Sequence, residues 1–126
     1  KIDFDFAAAR AYLDQREHRR HLANRKLFRR AKADSQKMIQ LIIDKYKPNR
    51  IYQWGSLLHP EEFNDLSDID IAIEGLKGAK KFFDLFGDIE KLTKFPVDLV
   101  EIEKIDPIHA ESIRNRGKLV YERKRK

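Results

Sequence analysis

The stretch Ser67-Asp68-Ile69-Asp70-Ile71-Ala72-Ile73-Glu74, "SDIDIAIE", decides how the rest of the chain is read. Successive side chains of a strand point to opposite faces. Ile69, Ile71 and Ile73 therefore face a core, and Asp68 and Asp70 stand together on the other side. Their side-chain bases would lie roughly 6–7 Å apart. Two carboxylates held that close repel, and one takes up a proton unless a cation sits between them. A hard cation such as Mg²⁺ accepts one or two carboxylates, waters and phosphate oxygens. Taken alone, the pair is equally well read as the solvent face of an edge strand.

Outward from this strand, Pro48 closes a long helical stretch, and Ile51-Tyr52-Gln53-Trp54 reads as a strand ending at Gly55-Ser56. A glycine there lets the backbone approach a phosphate closely. The serine hydroxyl and free backbone N–H groups could then hold a triphosphate. Residues 57–67, with Pro60, Asn64 and Asp65, read as a loop. Gly75 and Gly78 mark the exit of the Ile69–Glu74 strand. Phe82, Phe83, Leu85, Phe86, Ile89 and Leu92 give residues 79–92 a helical apolar face, interrupted by Gly87. Val97-Asp98-Leu99-Val100-Glu101-Ile102 after Pro96 predicts a third strand carrying a third acid, Asp98. Asp106-Pro107 opens a last helix, which ends near Gly117, and Leu119-Val120-Tyr121 predicts a short final strand.

The N-terminal third has a different character. From Phe6 to Lys47 there is neither proline nor glycine, and the residues favour helix. Asp34 or Ser35 is a candidate cap for a helix whose apolar stripe is Met38, Ile39, Leu41, Ile42 and Tyr46. Between Leu13 and Leu22 every residue is polar, so a helix there buries nothing. It projects into solvent, bridges to a partner or breaks in two.

Composition bounds the answer. With 126 residues, 41% hydrophobic and 38% charged, the chain has the size and make-up of one soluble globular domain, and its alternating helices and strands make it an α/β one. There is no cysteine, hence no disulfide framework or thiolate metal site. That fits a cytoplasmic location, and no segment resembles a signal peptide or approaches the ~20 apolar residues of a membrane span. The sequence begins at Lys1, as a segment trimmed from a longer chain would. The net charge of +6 is uneven: residues 1–47 carry 13 Lys/Arg against 6 Asp/Glu, and residues 48–122 carry 10 against 15. The expected organisation is a basic helical extension (1–34), a domain (35–122) whose acidic character marks it as the place to seek chemistry, and a basic tail (123–126).

Gly55-Ser56, then Asp68-Ile69-Asp70-Ile71, then Asp98 after Pro96-Val97, resembles the signature of the minimal nucleotidyltransferases of the DNA polymerase β superfamily. The likeness runs from about residue 36 to 122. It implies the nucleotidyltransferase fold: a small mixed β-sheet with helices packed on one side. It implies that Gly55 and Ser56 hold the nucleoside triphosphate. Asp68, Asp70 and Asp98 would be the catalytic carboxylates and would bind a two-metal Mg²⁺ site, with Asp98 near the attacking hydroxyl. The reaction implied is transfer of NMP, AMP from ATP, to a hydroxyl of a protein or nucleic acid. Small stand-alone members often pair with a helical HEPN partner as the antitoxin of a toxin–antitoxin system, so a HEPN-type partner is expected by resemblance.

One departure stands out. After Gly-Ser the family often has an arginine and small residues, whereas this chain has Leu57-Leu58-His59-Pro60-Glu61-Glu62. Lys77, Lys80, Arg114, Arg116 and Lys118 are candidates to replace the missing charge, although surface solvation is the commoner role for each. The alternative to an enzyme is therefore a weak or inactive binding subunit that neutralises a partner by contact. The basic run Arg16–Lys32 suits nucleic acid, a protein partner, a second copy of the chain or plain solvation. His18 and His21, on one helix face with Glu17, and the loop residue His59 read more readily as surface than as metal ligands. His109 reads as a cap or surface residue.

Overall fold

The computed structural model describes residues 3–124. Helix α1 (Phe6–Tyr46) is followed by strand β1 (Arg50–Trp54), two short 3₁₀ turns (Gly55–Leu58 and Pro60–Glu62) and β2 (Ile69–Glu74). Then come α2 (Ala79–Glu90), β3 (Val97–Glu101), a 3₁₀ turn (Ile102–Lys104), α3 (Pro107–Arg116) and β4 (Lys118–Glu122). The four strands form one mixed sheet in the order β3-β2-β1-β4. β1 runs antiparallel to both β2 and β4, while β2 and β3 are parallel and joined through α2. Parallel neighbours require such a crossover.

The alternation of the sheet residues divides the core in two. Ile51, Ile69, Ile71, Ile73 and Leu99 point to one face, where Ala31, Met38 and Ile42 of α1 and Leu85 and Ile89 of α2 are buried against them. Tyr52 and Ala72 point to the other face, and Ala110 and Ile113 of α3 pack there. Helices on a single side, as the sequence suggested, describe α1 and α2; α3 lies on the opposite face. The small side chain of Ala72, placed among isoleucines, is what lets a helix approach the sheet there.

α1 is one unbroken helix of 41 residues, about 60 Å long at 1.5 Å per residue. Its cap is Asp5, whose Oδ1 accepts the Ala8 N–H at 2.9 Å, and neither Asp34 nor Ser35 caps anything. Both lie inside the helix and serve tertiary contacts. The buried Ser35 Oγ accepts from Gln53 Nε2 at 2.6 Å, and Asp34 Oδ2 accepts from Thr93 Oγ1 at 2.7 Å. Sequence reasoning mistook cap-forming residues for a cap because their partners, Gln53 and Thr93, are remote in the chain. Leu27 and Phe28 are the first α1 side chains packed against the core. Nearly every residue from Phe6 to Lys26 is exposed. No helix of the described residues is long and apolar enough to cross a membrane.

Candidate active site

The acids of the opening stretch sit where β2 begins. Asp68 precedes the first strand residue and is half-buried; Asp70 is the second strand residue and is only 8% exposed. In the sheet register Asp70 lies opposite Asp98 of β3 on one side and Trp54 of β1 on the other. Laterally paired residues share a face, so Trp54, Asp70 and Asp98 form one row across three strands. That face is the one α3 covers. The row lies beyond the Tyr52–Ala72 pair, toward the end where β1 leaves for Gly55. The bond from the Ile69 N–H to the Pro96 carbonyl, at 2.9 Å, fixes this register just before the two acids.

Gly55 closes the row from above. Its φ is +73°, a conformation that costs a side-chain-bearing residue about 1–2 kcal/mol. The space matters more: a Cβ on Gly55 would run into the Asp70 carboxylate and stand 2.9 Å from its Cγ. The backbone N–H of the next residue, Ser56, favours the ionised form of the Asp70 carboxylate. Leu57, buried in the core, anchors the turn from below.

The loop that follows is more ordered than its composition suggested. The two 3₁₀ turns are pinned by Phe63, fully buried between the rings of Phe28 and Phe95 at 5.8 and 5.9 Å. Asn64 and Ser67 then brace the approach to Asp68. The Leu66 N–H donates to Asn64 Oδ1 at 2.8 Å, and the Asn64 N–H donates to Ser67 Oγ at 3.0 Å. His59, Glu61 and Glu62 are exposed. Of the cations considered as replacements for the missing arginine, Arg114 is engaged elsewhere, with Glu74 at 3.4 Å.

Electrostatics single out Asp70. Burial, then the charges of Asp98 and Asp68, push its carboxyl up to about 7, against a downward pull from the Ser56 N–H. The charges of Asp68 and Asp98 thus act on a carboxyl that is nearly dry, and a cation beside it would offset that cost. Among the described residues, no three His, Asp or Glu side chains are drawn together tightly enough to make a ready-formed cage. Mg²⁺ does not need one, because it keeps several waters and takes only one or two carboxylates. The donor set is all oxygen, which suits that ion.

Trp54, read from the sequence as a strand end, and His109, read as a cap or surface residue, are neighbours whose contact the sequence did not suggest. The exposed His109 stands edge-on to the Trp54 ring, 5.3 Å between centroids at 83°. The buried Trp54 Nε1 has no hydrogen-bond partner, an uncommon state for a buried donor. The tryptophan directly before Gly-Ser was the available signal. The histidine gave none, because α3 had not been placed on this face.

A mixed sheet with a glycine-serine turn packed on an acidic row defines a nucleotidyltransferase-like α/β domain. The family model described as "Polymerase beta, Nucleotidyltransferase" matches residues 36–126, and the chain belongs to that family. A comparison with curated protein sequences gives no significant match. Among solved structures, the chain is similar to a toxin–antitoxin complex of MntA and HepT at 22% identity, with a TM-score of 0.56, covering 73% of each chain. It is similar to a toxin–antitoxin structure with AMP-PNP at 24% identity, with a TM-score of 0.60, covering 71% of this chain and 73% of the other. A third match is the tri-AMPylated Shewanella oneidensis HEPN toxin in complex with MNT antitoxin, at 23% identity and a TM-score of 0.56, covering 74% and 73%. At these identities the likeness establishes the fold.

Proposed function

We propose that this chain is a Mg²⁺-dependent nucleotidyltransferase that transfers AMP from ATP to a hydroxyl, with a HEPN-type toxin as partner and acceptor. The observation that carries this reading is the Asp70–Asp98 register with Gly55 packed on the Asp70 carboxylate. It joins the turn that would receive a triphosphate to the acids that would receive its metal. Asp68 and Asp70 would hold Mg²⁺, and Asp98 would complete a second site. Bound there, the metal would neutralise the phosphates and make an attacking hydroxyl more acidic.

The residues divide the remaining work. Gly55 admits the phosphates, and the Ser56 hydroxyl binds them. Asp98, exposed at the outer end of the row, is the carboxylate open to an incoming acceptor and its proton. The acceptor oxygen bonds to the α-phosphorus as the bond from that phosphorus to the bridging oxygen breaks. Pyrophosphate leaves with that oxygen. Support for adenosine as the nucleoside comes from the AMP-PNP and AMPylated-toxin structures among the similar folds.

A second reading, a binding subunit without turnover, is favoured by one feature. The turns after Ser56 present Glu61 and Glu62 where the family often carries an arginine. One experiment separates the two. Purified chain is given Mg²⁺ and α-labelled ATP, with and without a HEPN-type protein, beside Asp68→Asn. Label transfer or pyrophosphate release that is lost in the variant is expected. Absence of both Mg²⁺ and nucleotide binding at millimolar concentration would sink the enzyme reading.

A further inference from the structure

Ala31, Leu27 and Phe28 tie the basic part of α1 to the core, but its cations have no role in the fold or in the proposed reaction. From Arg16 to Lys32 the sequence carries eight Lys/Arg against a single acid, Glu17. All eight cations are exposed, and none forms an ion pair among the described residues. Seventeen helical residues span about 25 Å, along which a single nucleic-acid strand at about 3.4 Å per charge presents roughly seven phosphates.

The distribution of these cations argues against a helix-packing partner. At 3.6 residues per turn, Arg16, Arg19, Arg20, Arg25 and Arg29 point in different directions around the axis. A partner protein docking on a helix reads an apolar stripe at i, i+3, i+4 and i+7. Phe6, Ala9 and Leu13 begin one, but Glu17 and Arg20 interrupt it before the basic segment. Cations distributed around a rod match a flexible polyanion better than a packed helix.

On one side the segment becomes a groove. His18, His21, Arg25 and Arg29 of α1 face Pro60 and Glu61 across a cavity of about 930 Å³. That lies within the range that encloses one compact ligand, room for a nucleotide or two of a strand and not for a duplex. Leu22 and Phe28 also line it, and the Phe28 ring carries Lys32 Nζ at 5.9 Å. This single ring, in edge contact with Phe63 on the core side, sits among cations, a pairing found where single strands are held without sequence preference. The far wall, Pro60–Glu61, belongs to the second of the turns that follow Gly55-Ser56.

We infer that α1 residues 16–32, with the groove they form against Pro60–Glu61, are a docking surface for single-stranded nucleic acid. The test is fluorescence anisotropy of a labelled 20-nucleotide RNA with the full chain, without Mg²⁺ or ATP, from 50 to 200 mM KCl. Its outcome is thus independent of the transfer reaction. Affinity falls steeply with salt, at about 0.7 in the logarithmic slope for each phosphate neutralised. Arg19→Gln/Arg20→Gln/Arg25→Gln/Arg29→Gln reduces that slope by about 3 and weakens binding at 100 mM KCl at least about 10-fold. Circular dichroism checks that the variant keeps its helix. Equal binding by the variant, a slope near zero, or tighter binding of the matching duplex than of the strand overturns the inference. So does a dimer in light scattering that the four substitutions dissociate, because a second copy then covers this surface.

Discussion

Asp70→Asn makes the strongest demand on the reasoning, because it should stabilise the metal-free protein while disabling its site. In the unfolded chain an aspartate titrates near 3.8; in the fold, burial and then Asp98 and Asp68 hold the Asp70 carboxyl up to about 7. A raised folded value means that the folded state binds its proton more tightly than the unfolded state does. Stability is therefore complete below about pH 4 and is lost as pH rises toward 7. At about 1.36 kcal/mol per pH unit, the shift from 3.8 to about 7 sets a ceiling near 4 kcal/mol on the cost of ionising this carboxyl. Asparagine does not ionise, and its side-chain oxygen can still accept the Ser56 N–H. In EDTA the variant should match the wild type near pH 4 and exceed it by up to about 4 kcal/mol at pH 8.

The assay is urea unfolding at pH 5, 6, 7 and 8, followed by the fluorescence of Trp54, the only tryptophan. Added Mg²⁺ should then reverse the order. A cation beside Asp70 offsets the repulsion, so the wild type gains stability in proportion to occupancy, and the variant gains much less. A variant less stable than wild type at pH 8 in EDTA refutes the electrostatic argument. So does a wild type whose stability stays flat from pH 5 to 8.

Two further substitutions test the packing around the row. Gly55→Ala places a methyl group against the Asp70 carboxylate at φ +73°, so it should cost at least about 1–2 kcal/mol and lower Mg²⁺ affinity, measured by unfolding with and without the metal. Phe63→Ala removes the buried ring between Phe28 and Phe95 and should cost about 3–5 kcal/mol. Hydrogen exchange should show the 59–67 segment opening more readily than β1 or β2.

The fold was legible where physics is local. Isoleucine alternation placed β2, Pro48 and Pro96 bounded strands, and Asp106-Pro107 set the start of α3, where Asp106 Oδ1 accepts the Ile108 N–H. Two features were not local and were missed. The cap of α1 lies thirty residues before Ser35, because a polar helix can continue through solvent once its distal half is packed. The second helical face of the sheet depended on Ala72, whose small size reads as an accident until Ala110 and Ile113 are seen above it. Of the candidate site, the residue types and their order were legible. The closeness of Gly55 to Asp70 was not, since it follows from the β1–β2 register and not from spacing.

That closeness changes what the glycine does. A glycine after a strand is usually explained by the turn it permits, and here φ +73° does require one. Yet the same residue also leaves out a side chain that would collide with the Asp70 carboxylate, while the backbone N–H of Ser56 next to it favours that carboxylate's ionised form. The turn and the acid are thus one unit, and neither could be moved independently. A carboxylate this buried costs the metal-free fold stability, and the isoleucines on the reverse of β2 supply the burial that sustains it. The alternation in "SDIDIAIE" is therefore a division of labour within one strand. Its apolar face holds the strand rigidly, so that its acidic face can keep charges together that would otherwise separate.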